Sequence, residues 1–299
     1  MKNAKRTWRY FKAGLCLDLA GNAPLVVMGS GRSGTTWLAE LCNYNDDFRY
    51  LFEPLNPDDS YHKSEVQRWC PHPDQSAPVI AKVLMGRQIS PWSSRYNTKW
   101  LASRRLVKEI RLNLAVPWIR RNFPQAKLVK IVRNPMAVAA SKKRLLQTSS
   151  SWVWNPSVDM LLAEDRVRSM LSDKQADRLR DYAGQGVALQ AVADWCLQNM
   201  VCQEPVYTVF YESLLTHPEP ALKDLFGYIG VNFHSRVLRS LNLGSTTQRK
   251  TRSEQSAQKA GWQAILTAQE QAAARTLLAE FDLGKLYTSD WEPAEARFA

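Results

Sequence analysis

The stretch VVMGSGRSGTTWLAEL, residues 26–41, decides the fold of this chain. A β-branched apolar run leads into spaced glycines and then into an amphipathic segment, which predicts a buried strand, a tight turn and a helix. The turn nearly matches the phosphate-binding pattern G-x-x-x-x-G-K-[ST]. Gly29 and Gly34 stand in the two glycine positions, and Thr36 stands in the hydroxyl position.

The lysine of that pattern is missing, and this changes the chemistry that the turn predicts. Thr35 occupies its position, and the only cation of the turn is Arg32, three residues earlier. Backbone N–H groups at a helix N-terminus still attract an anion, and an arginine fork can hold two oxygens of a tetrahedral anion. A Mg²⁺-dependent nucleotide hydrolase also needs an acidic residue at another strand end, and none of the predicted strands ends in Asp. We therefore expect a metal-free site for a phosphate or sulfate ester.

Composition supports a folded protein with an anionic partner. The 299 residues are 45% hydrophobic and 23% charged, which is enough for a substantial core and excludes a broadly disordered chain. Forty Lys and Arg against 28 Asp and Glu give a net charge of +12, which favours an anionic partner. The excess is spread along the chain without an aromatic-interleaved pattern, so nucleic-acid binding is not predicted. The five cysteines are dispersed, odd in number and without a C-x-x-C pair, which is typical of reduced core cysteines.

Strand and helix patterns alternate along the rest of the chain. RRLVKEIRL, AKLVKIVRN and EPVYTVFYESL are further strand candidates. Helices are predicted in VPWIRRNFP, PMAVAASKKRLL, GVALQAVADWCLQNMV, HPEPALKDLFGYIGV and residues 263–281. This alternation predicts an α/β fold in which helices cover both faces of a parallel sheet.

One domain is the economical interpretation, because repeats, low-complexity tracts and clear linkers are all missing from the sequence. Residues 24–299 form this domain after a basic lead-in segment, residues 1–23. Residues 53–94 are expected to form loops and short helices above the sheet, and residues 149–184 a helical insertion. The lead-in segment is too weakly apolar for a signal peptide, so a cytoplasmic protein with a solvated lead-in helix is expected. The alternative is peripheral membrane contact through this basic segment.

Two motifs together resemble the nucleotide signatures of the PAPS-dependent sulfotransferases, which use 3′-phosphoadenosine 5′-phosphosulfate (PAPS) as donor. GSGRSGTTWL resembles the motif that cradles the 5′-phosphosulfate. Arg133, Pro135 and Ser141 match R-x-P-x-x-x-x-x-S, which holds the 3′-phosphate. The resemblance covers roughly residues 24–146, resumes more weakly from Gly186, and implies a P-loop NTPase-like three-layer fold. The donor-site residues that it implies are Arg32, Ser33, Gly34, Thr35, Thr36, Trp37, Arg133, Ser141, Tyr211, Arg249 and Lys250.

Several of these assignments have simpler alternatives. Trp37 and Tyr211 match residues on the adenine side of the family's site, but either could be an ordinary core residue. Arg249 and Lys250 resemble a late basic pair that closes over the 3′-phosphate, although Thr251 stands where the family usually has glycine. The alternative for this pair is a solvated loop.

The acceptor side shows a second resemblance. FRYLFEPLNP, residues 48–57, resembles the FEPL segment of the carbohydrate sulfotransferases, which implies a carbohydrate or glycoconjugate acceptor. Aryl and steroid sulfotransferases use a histidine after the second strand, whereas this chain has none between His72 and His217. Glu53 is therefore predicted to be the general base, and capping a helix or pairing with arginine is its alternative role. Lys108 is predicted to add a charge at the sulfuryl group or on the acceptor, and a solvated lysine at a strand edge is its alternative.

The sequence thus predicts a PAPS-dependent sulfotransferase with Glu53, Arg32 and Lys108 as catalytic residues. The product is adenosine 3′,5′-bisphosphate (PAP), and no metal is required. Sulfation of a lipid, a small alcohol or a peptide tyrosine is the alternative, and a P-loop nucleotide kinase or a non-catalytic binder of sulfated glycans is a more distant one. The sequence makes no prediction about oligomeric state. Aromatic residues that could stack on a sugar, or equally lie in the core or a lid, are Trp92, Trp100, Trp152 and Trp154.

Overall fold

A computed structural model describes residues 14–21, 23–56, 73–87, 90–148, 158–163, 165–200, 206–241, 261–288 and 291–294. The strands in this part of the chain are β1 (Leu17–Asp18), β2 (Leu25–Met28), β3 (Phe48–Phe52), β4 (Leu101–Ala102), β5 (Arg104–Lys108), β6 (Lys127–Val132) and β7 (Tyr207–Phe210). The helices are α1 (Thr35–Cys42), α2 (Pro73–Leu84), α3 (Val116–Asn122), α4 (Pro135–Thr148), α5 (Val158–Leu162), α6 (Asp165–Ser169), α7 (Asp173–Gly184), α8 (Val187–Asn199), α9 (Tyr211–Thr216), α10 (Pro218–Ile229), α11 (Arg236–Ser240) and α12 (Ala268–Glu280).

The central sheet has five strands in the order β3-β5-β2-β6-β7, and every neighbouring pair is parallel. The short strands β1 and β4 form a separate parallel pair beside it. This arrangement confirms the predicted fold class. Each of the four predicted strands is present, but β3 had not been predicted as a strand.

Alternate residues of the strands enter two different hydrophobic clusters. Val26 and Met28 of β2 pack with α2, α4 and α8, whereas Leu25 and Val27 pack with α1, α9 and α10. All four side chains are buried, which explains why β2 reads as a continuous apolar run rather than an alternating one. Helices therefore cover the sheet on both faces and complete the three layers.

The connections that follow β2 and β6 run to opposite faces of the sheet, and this determines where the site lies. The helix that follows β2, α1, packs on one face of the sheet, and the helix that follows β6, α4, packs on the other. Adjacent parallel strands whose connections diverge in this way leave a crevice beyond their carboxyl ends, where ligands bind in open α/β sheets. The glycine-rich turn and Arg133 both lie at this edge.

Two features refine the predicted elements. The last helix, α12, begins after Thr267 rather than at residue 263, because Thr267 and Glu270 form a capping box. The described part of residues 149–184 is helical and packs against α8, with Ala176 and Leu179 in the same cluster as Trp195. Among the helices in the described ranges, none has the length and apolar character to span a membrane.

Candidate active site

The glycine-rich turn is shaped by close neighbours that exclude side chains. Gly29 has φ 155° and Gly34 has φ 92°. A Cβ at Gly29 would lie 2.4 Å from the carbonyl oxygen of Ile131, and a Cβ at Gly34 would lie 2.7 Å from the ring of Tyr211. Strand β6 and helix α9 therefore press against the turn and fix its path into α1.

Arg32 links the two sequence motifs. Its backbone has φ 75°, an uncommon value for a residue other than glycine, and such strained positions concentrate at functional sites. Its Nε donates to the Ser141 hydroxyl at 3.1 Å, across 109 residues of chain. Burial lowers the pKa of the Arg32 guanidinium, and the neighbouring charge of Arg133 lowers it further. The half-buried guanidinium of Arg32 and the buried guanidinium of Arg133 thus lie close together, which favours a bound anion.

Arg133 is held by its backbone and presents its side chain to the turn. One terminal nitrogen donates to the carbonyl oxygen of Arg32 at 3.0 Å, and the guanidinium lies 4.3 Å from the ring centre of Tyr211. The carbonyl oxygen of Arg133 accepts a bond from the indole of Trp195 at 3.0 Å. Its own Nε is buried and has no hydrogen-bond partner within the described ranges. A ligand with acceptor oxygens would satisfy this donor.

Asn134 and Glu212 stabilise the turn that carries Arg133. The side chain of Asn134 accepts bonds from the N–H groups of Met136 and Ala137, and so caps α4. Its own N–H donates to Glu212 at 3.0 Å, and the hydroxyl of Tyr287 donates to the same carboxyl at 3.3 Å. Burial raises the pKa of Glu212. The sequence analysis missed both residues, although an Asn before Pro135 is a recognisable capping signal.

Trp37 and Tyr211 lie next to each other beside the turn. Their ring centroids are 5.4 Å apart, and both side chains are buried in the cluster on the α1 face. The indole N–H of Trp37 is buried without a partner in the described part of the chain. Both residues are therefore core residues that border the site, and the adenine contact stays a prediction. Arg249, Lys250, Trp152 and Trp154 lie outside the described residues.

Glu53 and Lys108 meet at the carboxyl ends of β3 and β5. The register pairs Phe52 with Lys108, and the N–H of Glu53 donates to the carbonyl oxygen of Lys108 at 2.8 Å. The ammonium of Lys108 bonds the Glu53 carboxylate, and its side chain is buried rather than solvated. Glu53 has φ 39°, so it shares the left-handed backbone conformation of Arg32.

A second ion pair, between Arg111 and Glu109, lies next to Glu53. Arg111 donates to Glu109 at 2.9 Å and lies 3.8 Å from the Glu53 carboxylate. Burial acts to raise the pKa of Glu53, but the charges of Lys108 and Arg111 outweigh it, so that the pKa falls below its ordinary value. Glu53 is therefore ionised at neutral pH. Sequence reasoning missed Arg111 and Glu109, which follow Lys108 in the strand candidate RRLVKEIRL.

The glycine-rich turn and the Glu53–Lys108 pair lie at the carboxyl ends of neighbouring strands. Strand β5 pairs with β2, and the N–H of Glu109 donates to the carbonyl oxygen of Val27 at 3.0 Å. Gly31 of the turn faces Ile110, the residue after Glu109, since a Cβ there would lie 3.8 Å from it. Clusters of His, Cys, Asp and Glu suited to a metal ion are absent from the described ranges.

Comparison with known proteins agrees with this geometry. A sequence profile described as "Sulfotransferase family" matches residues 24–235. This match confirms the resemblance that the two motifs carry. No curated protein sequence matches the chain significantly.

Solved structures share the fold at low sequence identity. The sulfotransferase domain from the curacin biosynthetic pathway has a TM-score of 0.50 and 17% identity, over 89% of this chain and 98% of its own. Mouse sulfotransferase SULT7A1, complexed with PAP, has a TM-score of 0.50 and 14% identity, over 94% of this chain and 93% of its own. At these identities the likeness shows the fold alone.

Proposed function

The chain belongs to the sulfotransferase family, and we propose that it transfers a sulfuryl group from PAPS to a hydroxyl of a carbohydrate or glycoconjugate. The observation that carries this proposal is the junction of the two motifs. Arg32, Arg133 and Ser141 come from separate elements, and hydrogen bonds of 3.1 and 3.0 Å join them beside the glycine turn. A donor with two separate anionic groups fits such a paired cationic site.

The residues of the donor half fit PAPS one group at a time. The N–H groups of residues 33–36 and the guanidinium of Arg32 would hold the 5′-phosphosulfate. The orphaned Nε of Arg133 and the hydroxyl of Ser141 would hold the 3′-phosphate. Trp37 would border the adenine. The mouse neighbour was solved with PAP bound, which supports PAPS as the donor.

The reaction follows from the chemistry of sulfuryl transfer. The acceptor oxygen forms a bond to sulfur while the bond between sulfur and the 5′-phosphate oxygen breaks, and the hydroxyl proton passes to Glu53. PAP leaves with the bonding electrons. Charge develops on the sulfuryl oxygens, and preorganised donors at that point supply most of the rate acceleration in such reactions. We assign this role to Arg32 and Lys108.

Lys108 has two tasks in this scheme. Its bond to Glu53 keeps the carboxylate ionised and oriented, as the lowered pKa of Glu53 reflects. The backbone of Lys108 pairs with Val27 of β2, the strand that leads into the turn. As negative charge grows on the sulfuryl oxygens, Lys108 can shift its interaction toward them and leave Glu53 free to take the proton.

The carbohydrate acceptor rests on the FEPL segment and on Glu53 as the base. The test is transfer from radiolabelled PAPS to a panel of oligosaccharides, phenols, a long-chain alcohol and a tyrosyl peptide. We expect labelled sugar. If only the phenol, the lipid alcohol or the peptide became labelled, the acceptor class would be wrong, whereas the donor assignment would stand.

The base is tested with Glu53→Gln, which keeps the size of the side chain but removes the proton acceptor. We expect turnover to fall by about 10²-fold or more, the typical contribution of general base catalysis, while PAP affinity is unchanged. The matched control is Glu219→Gln, because Glu219 is an exposed residue of α10 that forms a surface ion pair with Lys223. Near-full turnover by the Glu53 variant would contradict the assignment.

A further inference from the structure

Resting on the proposed function, we infer that Arg95 forms an oxyanion-binding subsite for the acceptor, beside the hydroxyl that is sulfated. The acceptor would then carry its own carboxylate or sulfate ester. Neither the sequence motifs nor the family match assigns a role to Arg95.

The guanidinium of Arg95 is fixed by aromatic faces. Its central carbon lies 3.5 Å from the ring centre of Trp92, 4.2 Å from that of Phe52 and 5.1 Å from that of Tyr96. An arginine that lies over aromatic rings is restrained by cation–π contacts, and these contacts do not use its N–H donors. Throughout the described part of the chain, those N–H groups find neither a hydrogen bond nor an ion pair. The position of Arg95 is thus restrained, and the described part of the protein uses none of its donors.

The position of Arg95 relates it to the acceptor half of the site. Phe52, on which it stacks, directly precedes Glu53. The ammonium of Lys108 lies 4.7 Å from the centre of the same ring. Arg95 and Lys108 therefore share one aromatic ring, and the charge of Arg95 reaches Glu53 strongly enough to help lower the pKa of that carboxyl. An acceptor whose hydroxyl meets Glu53 would extend toward Arg95.

Among the described residues around Glu53, the positive charge of Arg95 is not balanced by a carboxylate. Glu53 pairs with Lys108, and Glu109 pairs with Arg111. Arg95 is exposed and has no such carboxylate partner among the described residues. Burial against the rings lowers its pKa, but arginine stays charged at every physiological pH. An anionic group on the acceptor would complete the charge balance and occupy the unused donors.

A purely structural role explains these contacts less well. The surrounding rings already pack on one another: Tyr50 stacks on Tyr96 at 5.7 Å, and Phe52 meets Tyr96 edge-on at 5.1 Å. They do not need a cation to form a cluster. Arg95 also covers one face of Trp92, the aromatic residue that had been considered for stacking on a sugar. Recognition through an oxyanion is therefore better supported here than sugar stacking on Trp92.

The test compares acceptors that differ only in the anion. The protein with PAP bound is titrated calorimetrically with para-nitrophenyl glucoside and glucuronide, and with para-nitrophenyl N-acetylglucosaminide and its sulfate ester. The two pairs distinguish a carboxylate from a sulfate ester. We expect the anionic member of at least one pair to bind about 10- to 100-fold more tightly, as for a charge-assisted hydrogen-bonded pair.

Variants then assign the preference to Arg95. Arg95→Gln should abolish the preference and leave the affinity for the neutral members unchanged, and Arg95→Lys should restore only part of it. The matched control Arg121→Gln, at an exposed position of α3, should retain it in full. Equal binding of both members of both pairs, or a preference that survives in Arg95→Gln, overturns the inference. If the wild-type protein did not bind PAP at all, that would instead contradict the proposed function. The two failures are therefore distinguishable.

Discussion

At Glu53, two opposing effects decide the protonation state of the predicted base. Burial favours the neutral carboxyl, whereas Lys108, Arg111 and Arg95 favour the carboxylate and prevail. A lowered pKa makes Glu53 a weaker base, but it keeps the group ionised over the whole physiological range. Glu53 also has a positive φ, an uncommon backbone conformation of the kind that concentrates at functional sites.

The pH dependence of kcat/KM tests this account at the residue scale. Activity requires the carboxylate, so it should be lost as the pH falls through the pKa of Glu53, which lies below the ordinary value of 4.5. The profile should therefore stay level on the acid side down to about pH 5. A histidine base would instead give a limb near pH 6.5. An acid limb at that higher pH, with donor binding unaffected, would contradict Glu53 as the base.

At the scale of single elements, the glycine turn depends on a conformation that other residues resist. Gly34→Ala places a Cβ 2.7 Å from the ring of Tyr211 in a left-handed conformation. We expect it to lower the free energy of unfolding by at least about 1–3 kcal/mol and to weaken PAP binding. Chemical denaturation and PAP titration measure the two effects.

The matched control for this change is Gly227→Ala. Gly227 lies in the interior of α10, where an added Cβ has open space. Alanine there should be neutral or should stabilise the protein by about 0.5–1 kcal/mol, since it favours the helix. Equal effects of the two substitutions would show that the turn is not constrained as described.

Glu212 connects three elements, since it follows β7, accepts from the turn before α4 and accepts from Tyr287 near the C-terminus. Glu212→Ala leaves the N–H of Asn134 without its acceptor and should cost about 1–3 kcal/mol of stability. Glu212→Gln keeps an acceptor and should cost far less. Urea denaturation of both variants measures the difference, and similar losses would show that the hydrogen bond is unimportant.

The raised pKa of Glu212 also predicts a pH dependence of stability. The folded state holds this proton more tightly than the unfolded state, so the stabilisation is complete below the unfolded pKa and is lost as the pH rises through the folded one. The free energy of unfolding of the wild-type protein should therefore fall relative to that of Glu212→Gln as the pH rises above about 4.5. Parallel pH profiles for the two proteins would contradict this assignment.

Most elements could be predicted because their signals are local. Strand β2, the glycine turn and α1 lie within one short stretch, and the Pro135 that opens α4 marks its own position. Strand β3 was missed although FRYLF is aromatic and fully buried, because its neighbours in sequence are polar and rich in proline. The pairing of β3 with β5 depends on the arrangement of the whole sheet and cannot be read from the residues of β3 alone.

At the scale of the whole molecule, the donor half of the site could be predicted from local sequence signals, whereas the contacts of the acceptor half could not. The donor half follows from motif spacing, because each motif leaves a strand and both strands end at the point where the sheet order reverses. The contacts of the acceptor half arise from register: Glu53 and Lys108 meet because β3 and β5 pair over 55 residues of separation. No sequence pattern carries that register, so Arg95 and Arg111 could not be placed near Glu53 in advance.

The central claim is that the site binds a 3′-phosphorylated adenine nucleotide without metal, and thermal unfolding tests it most directly. PAP, ADP and Mg-ATP are compared at matched concentrations, with Arg133→Ala and the control Arg121→Ala. PAP at about 100 times its Kd should add roughly 2.7 kcal/mol of stability. We predict that PAP alone stabilises the wild-type protein and the control variant, and that Arg133→Ala loses this response. Equal stabilisation by Mg-ATP, or none by PAP, would contradict the account.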